Sequence, residues 1–376
     1  SSSESAAASS LVKALFMLLS CDGAIDNFTP FASRSPRRIP HPILVDAMRD
    51  HLTPTRTLGV VALCAAVGFV AIAFALMTGS VHLGAGEVWR ALARQSGAAD
   101  ANADIVNALR LPRALCAFAV GGLLALAGAL MQIVLRNPLA DPYVLGISGG
   151  AAVGALLAIL AGAAALIAPA AYAGALLSTL IVFALAGAQE VPGSTRLLLT
   201  GVVVAAGWGA LIALILSLAP SAQVKGMLFW LLGDLSGAAN PWPALLALAV
   251  VLAVAMVLAR ALNVLSRGSE HASALGVNVG RLALGTHAAA AFAAAAAVTQ
   301  AGSVGFVGLV VPHALRILFG NDQRLLLPAS ALLGGALVVV ADTLARSLFA
   351  PQQIPVGVIT ALIGVPTFLW LQRRAP

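Results

Sequence analysis

Arg110 and Arg113 flank Pro112, and Arg346 follows Asp342 by four positions towards the far end of the chain. A guanidinium presents five N–H donors in a planar fork, which suits bidentate capture of a carboxylate. On residue type alone these three arginines have two readings. They snorkel to lipid headgroups from helix ends, or they form forks for carboxylates on a docking protein. Asp342 stands where an i,i+4 pair would orient Arg346.

No other constellation suggests covalent chemistry. Paired carboxylates, a nucleophile–base set and a metal-spaced cluster are all missing from the sequence, which leaves a membrane enzyme unsupported. Cys21, Cys64 and Cys116 have no metal-ligand spacing, and two of them sit in apolar runs as small hydrophobes. Neither a disulfide nor a metal site is expected. The phosphate-cradling pattern G-x-x-x-x-G-K-S/T does not occur, so the chain is not expected to bind ATP by that route. His287 and His313 lie in apolar runs, and His41, His51, His82 and His271 in tails or loops. Their expected role is structural, hydrogen-bonded and buried, and not haem or iron ligation. Gln132 and Gln300 are expected to hydrogen-bond between helices.

The elements that carry these residues belong in a bilayer. Of 376 residues, 60% are hydrophobic and 9% charged, against roughly a quarter charged in soluble domains. The pattern predicts an all-α polytopic membrane protein with about ten transmembrane helices. They fall near 57–79, 112–135, 143–162, 166–187, 195–219, 242–265, 281–300, 305–319, 325–347 and 355–371, with a short amphipathic piece at 224–232. Between the second and third lies a proline-punctuated elbow, Asn137 to Pro142. Gly146, Gly150 and Gly154 then recur every four residues, a ladder that lets a helix pack closely on its neighbour.

The formal charge of +7 forms no stripe, so no nucleic-acid partner is expected. Arg90, Arg94, Arg110, Arg113, Lys225 and Arg346 fall on one side of the predicted topology, and the rest of the 21 Lys and Arg on the other. By the positive-inside bias both termini are cytoplasmic. Residues 1–56 read as an N-terminal extension, cytoplasmic and partly disordered: added sequence, an upstream start or a mobile tail. Leu18 to Cys21 resembles a lipoprotein cleavage box only faintly, with a single Lys13 as its basic region. The transmembrane domain is 57–376, and 266–281 is its longest polar break. There Glu270, His271 and Ser273 precede Ala274, Leu275 and Gly276, a pattern for a short helix ended by glycine. A connecting loop is one reading, although roughly two to eight residues usually suffice between bundle helices.

Several stretches resemble the iron-chelate and cobalamin permease family, the membrane subunits of bacterial ABC importers of the vitamin B12 transporter type. They are R-L-P-R at 110–113, G-A-x-M-Q at 128–132, N-P-L-A-D-P at 137–142, G-F-V-G-L-V-V-P-H at 305–313, A-D-T-L-A-R at 341–346 and P-V-G-V-I-T-A-L-I-G at 355–364. The resemblance runs in family order from about Thr57 to Arg374. It implies a homodimer with two copies of a cytoplasmic ABC ATPase and one periplasmic substrate-binding protein, in the bacterial inner membrane. No cofactor would be bound by this chain, with ATP and Mg on the ATPase. It implies that Arg110, Arg113 and Arg346 dock the binding protein. Glu270, His271, Ala274, Leu275 and Gly276 would couple to the ATPase, and Asn137, Leu139 and Thr195 would close the cytoplasmic gate. Asn137-Pro138 as a rigid turn is the competing reading of the elbow. The implied cargo is a bulky metal chelate, a ferric siderophore or haem, with cobalamin as the alternative. An ion-coupled secondary transporter is the remote alternative, since that class places ionisable residues at mid-membrane.

Overall fold

A computed structural model describes residues 54–79, 81–93, 101–186 and 195–374 of the chain. The extension up to residue 53 lies outside the described residues. The fold is an all-α polytopic bundle. Its helices are α1 (Pro54–Met77), α2 (Ala85–Ala93), α3 (Leu111–Val134), α4 (Ile147–Leu160), α5 (Ile167–Ala186), α6 (Thr195–Leu218) and α7 (Ser221–Leu231). There follow α8 (Trp242–Leu265), α9 (Ser269–Ala274), α10 (Val279–Ala301), α11 (Val307–Phe319), α12 (Gln323–Ser347) and α13 (Val356–Arg374). Among the described residues, eight helices are long and apolar enough to cross a bilayer, and α4 and α11 are shorter apolar helices.

The ten predicted spans are therefore present, but two are curtailed. At 14 and 13 residues, α4 and α11 fall short of the ~20 that cross the hydrocarbon core. Each is preceded by a segment that is not α-helical. A 3₁₀ turn at Pro142–Leu145 precedes α4, and a break at 302–306 separates α10 from α11. Two features were not among the predicted elements. One is the amphipathic α2, whose Val88 and Ala91 are buried with Leu76, Leu83 and Val106 while Trp89 is exposed. The other is a π-helical stretch, Ile105–Arg110, which enters α3 without a break and delivers Arg110 to its N-terminus.

Helix α3 is the axis. In its most apolar window 89% of residues are buried, against 11% for α6 at the periphery. It packs against α12, α10, α11 and α8, while α4 packs chiefly on α5. Apolar side chains gain little by leaving lipid for protein, so close backbone approach has to supply the attraction. A Cβ on Gly121 would stand 2.1 Å from the carbonyl oxygen of Gly334 on α12, and one on Gly128 only 1.9 Å from that of Gly308 on α11. On α4, Gly150 and Gly154 lie against the Gly174 and Ala170 carbonyls of α5 in the same way.

This geometry predicts that Gly128→Val separates α3 from α11 and costs ~3 kcal/mol or more. It should lower the detergent-solubilised melting midpoint. Gly207→Ala, where a Cβ meets nothing within 4 Å, serves as the neutral control. Equal midpoints for the two variants would contradict the packing argument.

Candidate functional site

The polar residues gather at two ends of the bundle and at two places within it, around Pro312 and at the break 302–306. At the elbow end, α3 terminates through Arg136, whose φ of 46° is unusual for a residue with a side chain. The Asn137 N–H returns to the Gln132 carbonyl, and the Asn137 side chain accepts from Leu139 N–H at 2.9 Å. This Asx turn makes the elbow rigid and leaves Leu139 44% exposed at its tip. Asp141 accepts from Tyr143 N–H at 2.8 Å and starts the 3₁₀ turn. Withdrawal from water pushes its carboxyl up to about 6, opposed by that hydrogen bond.

The polar segment 266–281 lies beside the elbow. It contains α9, as the glycine-terminated pattern predicts, and Gly276 closes it at a φ of 79°. Ala272 is the buried anchor of α9, whereas Glu270, His271, Ala274, Leu275 and Gly276 are all exposed. Leu275 is 61% exposed, an apolar side chain displayed on a polar loop. Arg136 Nη2 donates to Ser269 Oγ at 2.8 Å, so the elbow is tied to the first residue of α9. Nearby, Asn263 at the end of α8 donates to Asp322 and accepts from Gln323 N–H, fixing where α12 begins. Thr195 opens α6, but its side chain lies outside the described residues, as does Ser194 before it.

Deeper in the bundle, Pro312 interrupts α11. Proline has no N–H, so the carbonyl of Gly308, four residues back, loses its helical donor. Gln132 Nε2 approaches it at 3.3 Å and Leu309 O at 3.2 Å, while Gln132 Oε1 accepts from Arg316 Nη1 at 2.9 Å. The break at 302–306 is satisfied from other elements. Tyr143 Oη donates to Val304 O at 3.2 Å, Ser148 Oγ to Ser303 Oγ at 2.9 Å, and Asp234 N–H to Ala301 O at 2.8 Å. His287 Nδ1 is bonded to Ala283 O, whereas its Nε2 has no partner among the described residues. His313 differs from expectation: it is buried against Phe368, and neither ring nitrogen has a partner among the described residues.

At the opposite end the three arginines do converge. Arg110 is 6% exposed and donates to the carbonyls of Leu76 (2.6 Å) and Val81. Arg346 donates to the Ala75 carbonyl, and its Nε stands 4.0 Å from Asp342 Oδ2. Both therefore cap the C-terminal end of α1, where a helix dipole favours positive charge. Arg113 grips Asp342 with Nε at 2.9 Å and Nη2 at 2.8 Å. The i,i+4 placement had suggested Asp342 as the partner of Arg346; its tighter partner is Arg113, 229 positions away in sequence. Two guanidiniums, those of Arg113 and Arg346, face the one carboxylate, and Arg110 lies close to Arg346, which leaves the cluster positively charged.

Residues 66–374 match the FecCD transport family, and the chain belongs to that family of type II ABC importer permeases. It is 44% identical over 285 residues to the cobalamin import system permease protein BtuC of Halobacterium salinarum, covering 74% of this chain and 76% of that one. It is 38% identical over 320 residues to the hemin transport system permease protein HmuU of Yersinia pestis, covering 82% and 95%. Among solved structures, an inward-facing metal-chelate type ABC transporter superposes with a TM-score of 0.73 at 27% identity, covering 85% of this chain and all of that one.

Gln132 was foreseen as an interhelical partner, though not as the donor for the carbonyl that Pro312 leaves free. Gln132→Leu should cost about 1–3 kcal/mol, because buried carbonyls lose their donor and Arg316 an acceptor. A lowered melting midpoint in detergent is the expected result, and an unchanged one would remove the role assigned to this side chain.

Proposed function

We propose that this chain is the permease of an importer that carries a bulky metal chelate, a ferric siderophore or haem, from periplasm to cytoplasm. Two copies of the chain form the path, two copies of a separate ABC ATPase drive it, and one periplasmic binding protein delivers the cargo. The chain itself binds no cofactor; ATP and Mg belong to the ATPase. The observation that carries this reading is the Arg136–Ser269 bond, which joins a rigid elbow at the path's end to an exposed short helix suited to a partner's groove. When ATP draws the ATPases together, α9 moves and the elbow moves with it. Asn137, Leu139 and Thr195 then open or close the inner end. Leu139 at the tip of the elbow can occlude without gripping, as a path must, because tight ligation would trap the cargo.

Orientation follows from charge. Arg136, Arg267, Arg281, Arg316 and Arg324 lie at or beside the elbow end, which the positive-inside bias makes cytoplasmic in the inner membrane, together with both termini. The arginine end then faces the periplasm, where Arg113 and the surplus charge of its cluster attract carboxylates of the binding protein. Arg110 and Arg346 hold α1 in place for that surface and contribute charge. An ion-coupled mechanism has less support, because the buried Asp342 is engaged by Arg113 and does not stand free at mid-membrane. A second cargo, cobalamin, is favoured by the 44% identity to a cobalamin import permease.

The test is reconstitution with the ATPase and binding protein, offering haem, a ferric siderophore and cobalamin in parallel. ATP-dependent uptake of one cargo names the substrate, whereas uptake by the chain alone on an ion gradient would contradict the proposal. In the same system Leu275→Asp should leave ATP hydrolysis running while uptake falls at least about tenfold, because a buried interfacial apolar contact is replaced by a charge. Arg113→Lys keeps the charge beside Asp342 but loses the fork, and should weaken binding-protein affinity severalfold. Unchanged affinity would remove the docking role.

A further inference from the structure

A cavity of 210 Å³ opens at the elbow end, between the end of α3, the end of α8 and the last turn of α11. Two guanidiniums from different elements line it, Arg136 from the elbow and Arg316 from α11, together with Gln132, Ser266 and Asn321. Both arginines bond only neutral acceptors there. Arg316 donates Nε to Asn321 Oδ1 at 3.1 Å and Nη1 to Gln132 Oε1 at 2.9 Å, and Arg136 donates to Ser269 Oγ. Among the described residues no carboxylate lies within ion-pair distance of either; the ion pairs are at the opposite end, on Asp342. Gln132, 3% exposed, is itself held on the α11 backbone and fixes Arg316 in place. Arg136 reaches the cavity from a backbone conformation that side chains rarely adopt.

Two like-charged groups sharing a cleft, Arg316 partly withdrawn from water and Arg136 exposed at its mouth, call for an anion. Guanidinium forks match phosphate oxygens in geometry and are weakly hydrated. The volume is below the ~300–1,000 Å³ of ordinary ligand pockets, which rules out a bulky chelate and suits a single phosphate head. The cavity sits between helix ends at the bilayer edge, where basic pockets meet lipid headgroups.

We infer that this cavity binds a phosphate group, from an anionic phospholipid or from free inorganic phosphate, and that its occupancy clamps the elbow to α11 and to the start of the 266–281 segment. The inference requires no assumption about cargo. It is tested on the full chain in nanodiscs of phosphatidylcholine alone, of phosphatidylcholine with phosphatidylglycerol, and of phosphatidylcholine with inorganic phosphate in solution. Retained lipid is read by native mass spectrometry, and the unfolding midpoint by a thermal shift. If the lipid is the source, wild type retains one phosphatidylglycerol and Arg136→Gln weakens that retention about tenfold, the loss of one charge-assisted contact. If free phosphate is the source, it raises the midpoint in phosphatidylcholine discs and Arg136→Gln abolishes the rise. In either case Arg136→Lys restores part of the effect, which a purely structural role would not require. Arg316→Gln should act like Arg136→Gln; where it fails to fold, the exposed Arg136 decides. Identical lipid retention and phosphate response in wild type and Arg136→Gln would overturn the inference.

Discussion

Hydrocarbon offers no hydrogen bonds, so every backbone group that leaves a helix inside the bilayer must find a partner within the chain. The rest of the structure depends on how this requirement is met at two interruptions. At Pro312 the freed carbonyl is taken by Gln132 from the neighbouring α3. At 302–306 the partners come from the elbow turn, from α4 and from the stretch after α7, so that four separate parts of the chain share one polar junction. Each interruption is held by specific residues: Pro312 lies within a continuous α11, and the break at 302–306 separates α10 from α11.

Close packing sets which parts can move. Helix α3 is seated against α11 and α12 through glycines that bring backbone onto backbone, and it is almost wholly buried. Helices α6 and α13 keep large apolar side chains such as Val203, Leu218, Leu362 and Trp370 on their outer surfaces. A well-packed axis with loosely covered flanks suits a subunit that meets a second copy and shifts against it. The elbow joins the two regimes: it leaves the end of the axis, turns rigidly through Asn137, and is bonded to the exposed α9.

Most of the fold was legible in the sequence because the signal for a span is length and apolarity, which need no tertiary knowledge. All ten apolar segments were placed this way, and the short helix within the polar break 266–281 was read instead from the glycine that follows it. Gly302 marked one interruption only as a gap between spans, and Pro312 the other only as an interior proline; the partners that satisfy them come from packing, which spacing does not encode. The convergence of Arg110, Arg113 and Arg346 was readable as three arginines at one end. The internal work of Arg110 and Arg346 was not, since their acceptors are backbone carbonyls of α1 that carry no residue-type signature. Asp342 illustrates the same limit: the local i,i+4 neighbour was visible, and the closer partner on α3 was not. The cavity between Arg136 and Arg316 had no sequence signal either, because its two cations lie 180 positions apart.

The most direct measurement is the distance between the two elbows of the assembled transporter. Spin labels at Leu139→Cys, in a chain whose Cys21, Cys64 and Cys116 are replaced by serine, would report it by pulsed electron resonance. If the elbow is a gate driven through α9, the distance distribution shifts when ATP binds the complex and stays fixed when the ATPase is absent. A distribution that ATP leaves unchanged, in a complex that still hydrolyses ATP and takes up cargo, would contradict the coupling of elbow to ATPase on which the mechanism stands.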